Sequence, residues 1–96
     1  MGNRKLPFGY EIRMGEIRIR QEEEAVVVEV FRRYNSGASY REIVAWLKTQ
    51  GVRYLPDRLW NKNMVARILE DHRYIGEKDY PAIVSAEMLG TAIQKR

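Results

Sequence analysis

Two hydrophobic periods divide the chain. From Phe8 to Arg20 the apolar positions recur every second residue: Phe8, Tyr10 and Ile12 alternate with Gly9, Glu11 and Arg13, and Ile17 and Ile19 alternate with Glu16, Arg18 and Arg20. A period of two belongs to a strand with one covered face. Met14-Gly15 interrupts it where a tight turn needs a residue of positive φ, so the pattern predicts a β-hairpin with Gly15 at its turn. A lone hairpin is barely stable in water, and this one must lean on a helix.

After Arg20 the period becomes helical. Val27, Val30, Phe31 and Tyr34 form a stripe that predicts a helix over residues 22–35, stopped by Asn35-Ser36-Gly37. Its Val26-Val27-Val28 run is a poor helix former, because β-branched side chains lose rotamer freedom there. The preceding Glu22, Glu23 and Glu24 offset this at the positive end of the helix dipole. A paired-carboxylate active site is the sharper reading of those acids, and the weaker one, since consecutive acids at a helix start stay solvated.

Ser39-Tyr40-Arg41-Glu42 is a capping box opening a second helix, with Ile43, Val44, Trp46 and Leu47 inward and Gly51 at its end. Residues 52–59 read as a connector with a turn at Pro56-Asp57 and a short extended piece. Asn61 is an N-cap for a third helix over residues 62–70, whose Val65, Ile68 and Leu69 share one face; one more turn runs through Tyr74 to a stop at Gly76. Pro81-Ala82-Ile83-Val84 is extended, and Ser85 caps a last helix with Met88, Leu89, Ala92 and Ile93 inward. No stop signal follows Ile93, so this helix is expected to run on in a longer parent chain. Trp46 and Trp60, flanked by aliphatic residues, are assigned to packing rather than to base stacking.

The predicted architecture is therefore mainly α: a small domain of about four helices with an N-terminal β-hairpin and a helix-turn-helix-like pair. Residues 7–96 form one domain, and residues 1–6 a flexible basic arm. Composition changes this picture little. Cysteine is absent, which removes disulfides and thiolate zinc sites and fits a cytoplasmic protein. His72 is the single histidine and is expected at a surface turn, so no metal is implied. No apolar run is long enough for a membrane span.

Charge changes it more. The net charge of +4 is mild, but its distribution is uneven. Between Ile43 and Leu69 the bases are Lys48, Arg53, Arg58, Lys62 and Arg67, with Asp57 as the one acid. Arg4 and Lys5 add to the arm, while acids gather at residues 22–24 and at Glu70, Asp71, Glu77 and Asp79. Opposite its apolar face the third helix carries Lys62, Asn63, Ala66 and Arg67. Lys and Arg can bind phosphate or guanine, Asn can pair with adenine, and Ala lets a backbone approach closely. On its own this is the outer face of any soluble helix. Set within a segregated basic region, it suits insertion into a DNA groove.

Catalytic patterns are missing. The chain has no Gly-rich phosphate loop, no His-Glu-x-x-His and no serine–histidine pairing, and Ser36, Ser39 and Ser85 all have cap or turn roles. No cofactor is implied. The sequence describes a binding module rather than an enzyme.

The motifs also come in a recognisable order. Pro7-Phe8-Gly9-Tyr10 is followed by Phe31-Arg32-Arg33-Tyr34-Asn35-Ser36-Gly37, then by Ser39-Tyr40-Arg41-Glu42-Ile43-Val44-Ala45-Trp46-Leu47 and Gly51-Val52. Trp60-Asn61, Val65-Ala66-Arg67-Ile68-Leu69 and Tyr74-Ile75-Gly76 close the series. Each motif is weak alone; the ordered set closely resembles the DNA-binding middle domain of large serine recombinases, the phage integrases and conjugative-transposon resolvases. That resemblance implies a middle domain lying between a resolvase-type catalytic domain and a zinc ribbon, neither of which is in this chain. No serine here inherits the role of nucleophile. It also implies a grip on double-stranded DNA at an attachment half-site, with Arg4 and Lys5 as arm contacts and Lys62, Asn63 and Arg67 facing a groove. Arg53 and Arg58 on the connector join the candidate DNA-binding set.

The chain departs from the family pattern in three places. Arg20-Gln21 stands where an Asp-Pro pair is common, Asn61 where serine is usual, and Asp71-His72 where Asn-Pro or a similar pair is common. The first departure leaves the first helix less sharply capped, and base preferences do not transfer. The fragment is expected to be monomeric. The alternative is a protein-interaction module that docks recombinase subunits or accessory factors through its apolar and acidic faces. An unrelated transcriptional regulator would share the helix pair without needing the hairpin.

Overall fold

The computed structural model describes residues 6–95. Strands β1 (Tyr10–Arg13) and β2 (Glu16–Ile19) pair antiparallel in the register Tyr10↔Ile19 to Arg13↔Glu16, followed by α1 (Gln21–Asn35) and α2 (Tyr40–Thr49). Helix α3 (Lys62–Ile68) leads into a 3-10 turn at His72–Ile75, a second short turn at Glu77–Asp79, and α4 (Ala86–Lys95). The mainly α architecture with an N-terminal hairpin is the one the periodicity predicts. Among the described residues no helix is long and apolar enough to cross a membrane.

The hairpin turn uses two residues of positive φ, Met14 (52°) and Gly15 (80°), where the sequence pattern marked Gly15 alone. That pair gives the twist a two-residue hairpin needs. Its apolar face packs on the core through the buried Tyr10 and the half-buried Ile17 and Ile19, whereas Ile12 is 61% exposed and Met14, in the turn, 98% exposed. The prediction that one whole face covers the core thus fails at Ile12.

What anchors the base is the Pro7-Phe8-Gly9-Tyr10 segment. Tyr10 stacks on Tyr74 (centroids 5.6 Å) and donates its hydroxyl to the Pro81 carbonyl at 2.7 Å. Burial, then the Asp71 carboxylate, push the Tyr10 phenol far above its ordinary range, so it remains a neutral donor. In return, the Tyr74 hydroxyl donates to the Phe8 carbonyl at 2.6 Å. Gly9 lies between them at φ 106°, and its N–H donates to Glu23 Oε1 at 2.8 Å. A Cβ there would meet Ile83 Cδ1 at 3.1 Å and Val27 Cγ2 at 3.2 Å. Gly9→Ala is therefore expected to destabilise the fold by about 2–3 kcal/mol, from backbone strain and crowding together. Urea denaturation measures this; an unchanged midpoint would contradict it.

Helix α1 begins at Gln21 with Arg20 at the cap and no side-chain cap bond, as its sequence implied. Val27, Val30 and Phe31 are its buried face. It packs on α2 and on α4, where Asn35 Nδ2 donates to the Met88 carbonyl at 3.2 Å. Ser39 and Glu42 form the reciprocal capping box of α2. At α4 Leu89 and Ala92 are buried, but Ile93 is 38% exposed, so the predicted inward face is narrower by one residue. Helix α3 ends two residues before the sequence-based limit, because Leu69 and Glu70 leave the helix ahead of the Asp71-capped turn.

Candidate nucleic-acid interface

The candidate interface is built on α3. Asn61 takes an extended backbone (φ −135°, ψ 174°) and its side-chain oxygen accepts from Met64 N at 2.9 Å, which starts the helix cleanly. Val65, Ile68 and Leu69 are buried, and α3 packs on α2. Trp60 fixes the segment just before the cap, lying edge-on to Phe8 (4.8 Å) and Tyr54 (5.3 Å).

With its dry face so fixed, α3 must turn the remaining residues outward. Lys62, Asn63 and Arg67 are all exposed, with Ala66 half-buried beside them. At about 100° per residue, Asn63 and Arg67 lie within about 30° of the direction opposite the buried stripe, while Lys62 lies roughly 110° to one side. Among the described residues no carboxylate pairs with Lys62 or Arg67. Asp71, near the end of the helix, is occupied: it accepts from Arg73 Nε at 2.9 Å and Nη2 at 2.8 Å. These bonds push the Arg73 guanidinium further up from its already high range. Glu70 is exposed just past the end of α3.

Two clefts lie near these residues, and Met64, Arg67 and Ile68 of α3 line the smaller one. An open one of about 630 Å³ lies between the hairpin and the connector, lined by Leu6, Ile12, Arg20, Arg53 and Tyr54 among others. A smaller one of about 170 Å³ runs past Leu6, Tyr54, Arg67 and Arg73. Leu6 and Tyr54 line both, with Arg53 in the first and Arg67 in the second. Arg4 and Lys5 themselves lie outside the described residues. Arg53 is exposed and donates from Nη1 to the Pro56 carbonyl at 3.4 Å. Arg58 is exposed on the tight turn where Leu55 and Arg58 pair, and does not line these two clefts.

Arg41, exposed in the first turn of α2, is a cation the sequence reading passed over. Its charge is plain in the capping box, but the sequence alone does not show that this side of α2 is exposed. His72 is an exposed turn residue, and no group of three or more His, Cys, Asp or Glu among the described residues can hold a metal.

The chain matches no curated protein. Several solved structures are similar to it, two of them as follows. One is the crystal structure of an LSR–DNA complex (TM-score 0.75, 18% identity, covering 98% of this chain and 32% of that one). The other concerns the sequence requirements of the Listeria innocua prophage attP site (TM-score 0.75, 18% identity, 96% of this chain and 42% of that one). At that identity the likeness establishes the fold, and this chain spans well under half of either neighbour. The sequence model of the family described as Recombinase matches residues 21–92, from the start of α1 to the buried Ala92. That match takes in both helices of the candidate interface, and the chain belongs to the Recombinase family.

Proposed function

We propose that this chain is a non-catalytic part of a site-specific serine recombinase that binds double-stranded DNA at attachment half-sites in the cytoplasm. Residues 7–96 are its DNA-binding domain, and residues 1–6 a basic arm that follows the duplex beside it. A catalytic domain and a zinc ribbon belong to the rest of the recombinase. The observation that carries this reading is the outward set Lys62, Asn63 and Arg67, presented without acidic partners among the described residues on a helix whose other face is dry. Arg53 lines the neighbouring cleft, which shares Leu6 and Tyr54 with the cleft that Arg67 lines. Similarity to a solved LSR–DNA complex adds weight to the choice of partner.

In this arrangement α3 enters the major groove while the start of α2, with Arg41, crosses the backbone. A binding titration on half-site duplex between 50 and 200 mM salt tests it. Neutralising roughly four to six phosphates predicts an affinity falling by about two to three orders of magnitude over that range. A flat salt response, or no shift at low salt, would contradict the reading. It would favour the docking-module alternative, for which the exposed Ile12 and Met14 of the hairpin tip offer a surface.

A further inference from the structure

The three outward residues of α3 differ in chemistry and in angle, and the two differences agree. Lys62 is a point charge on the flank of the helix, where a flexible ammonium reaches a groove wall rather than its floor. Asn63 and Arg67 stand at the centre of the outward face, one helical turn apart, beside the small Ala66. A neutral amide adds no charge attraction to phosphate, and among the described residues no hydrogen bond ties the Asn63 side chain into the fold. Asn35 and Asn61, by contrast, use their side chains within the fold, toward Met88 and Met64.

Resting on the DNA-binding reading above, we infer that Asn63 and Arg67 are the specificity-determining pair. Asn63 reads an adenine, with Oδ1 accepting from N6–H and Nδ2 donating to N7. Arg67 reads a guanine through two parallel donations to O6 and N7. Residues four apart on a helix are separated by about 6 Å, which spans roughly one or two base steps. The half-site therefore carries an adenine and a guanine at that close, fixed spacing. Lys62 holds phosphate and carries no sequence information.

The test is selection of the chain's preferred sites from random duplex DNA, repeated with single variants. The parent chain is expected to enrich an adenine and a guanine at one fixed spacing. Asn63→Ala then flattens preference at the adenine alone, and Arg67→Ala at the guanine alone, each by roughly 5- to 150-fold in discrimination. Lys62→Ala lowers affinity for all duplexes alike. Tight binding with a consensus that neither Asn63→Ala nor Arg67→Ala alters, or with no consensus, overturns the base assignment and leaves the DNA-binding reading standing. Failure of the parent chain to bind any duplex overturns both.

Discussion

Replacing Trp60 with alanine is expected to remove about 3–5 kcal/mol of folding stability. A chain of this length has about 5–14 kcal/mol in all, so the loss is between roughly a fifth and the whole of it. The size of the effect follows from position. Trp60 is 4% exposed and touches the hairpin's root through Phe8 and the connector through Tyr54, immediately ahead of the Asn61 cap. Deleting it opens a cavity where three separate pieces of chain meet, and α3 is too short to hold its own orientation without that contact.

The same residue carries a liability. Among the described residues its buried Nε1–H has no hydrogen-bond partner. An unmet donor of that kind costs about 1–3 kcal/mol. Trp60→Phe deletes the donor along with some packing, so its net cost should be about 1 kcal/mol or less. Urea denaturation of the two variants separates these effects. Equal losses in both would mean that the indole is held by something other than shape, and the argument from packing would fail.

Much of this fold is legible from local chemistry. Ser39 and Glu42 are a capping box in sequence and in space, and Asn61 caps α3 as its position implies. These devices act over three residues, so a sequence window contains the whole interaction. Glu23 shows where such reading ends. Beside Glu22 and Glu24 it looks like one more partner for the helix dipole, yet its carboxylate takes the N–H of Gly9, fourteen positions away. Nothing in the run of three glutamates singles out the middle one. The tyrosine exchange, in which Tyr10 reaches Pro81 and Tyr74 reaches Phe8, spans most of the chain and is equally invisible beforehand.

The candidate site divides in the same way. The outward set on α3 follows from helical periodicity alone, because burying Val65, Ile68 and Leu69 dictates what must face solvent. That Leu6 lines one cleft with Arg53 and another with Arg67 depends on how the connector folds back at Leu55 and Arg58, a turn whose tertiary placement the sequence does not encode locally.

Because Asn63 is both at the centre of the outward face and in the first turn of α3, one substitution should move stability and binding in opposite directions. Asn63→Glu places a carboxylate near the positive end of a helix that has no acid in its first turn. This should leave stability unchanged or raise it by about 0.3–1 kcal/mol. On DNA the same carboxylate meets the phosphate field at the point of closest approach, and affinity should fall by about 2–4 kcal/mol, roughly 30- to 700-fold. Gln94→Glu, exposed on α4, makes the same change in net charge and is the control. It should weaken binding only slightly, through the long-range field that salt screens. Thermal denaturation and a half-site titration on both variants give the four numbers needed. If Asn63→Glu bound as Gln94→Glu does, the charge would be sensed from a distance rather than inside a groove, and α3 would not be the surface that meets the duplex.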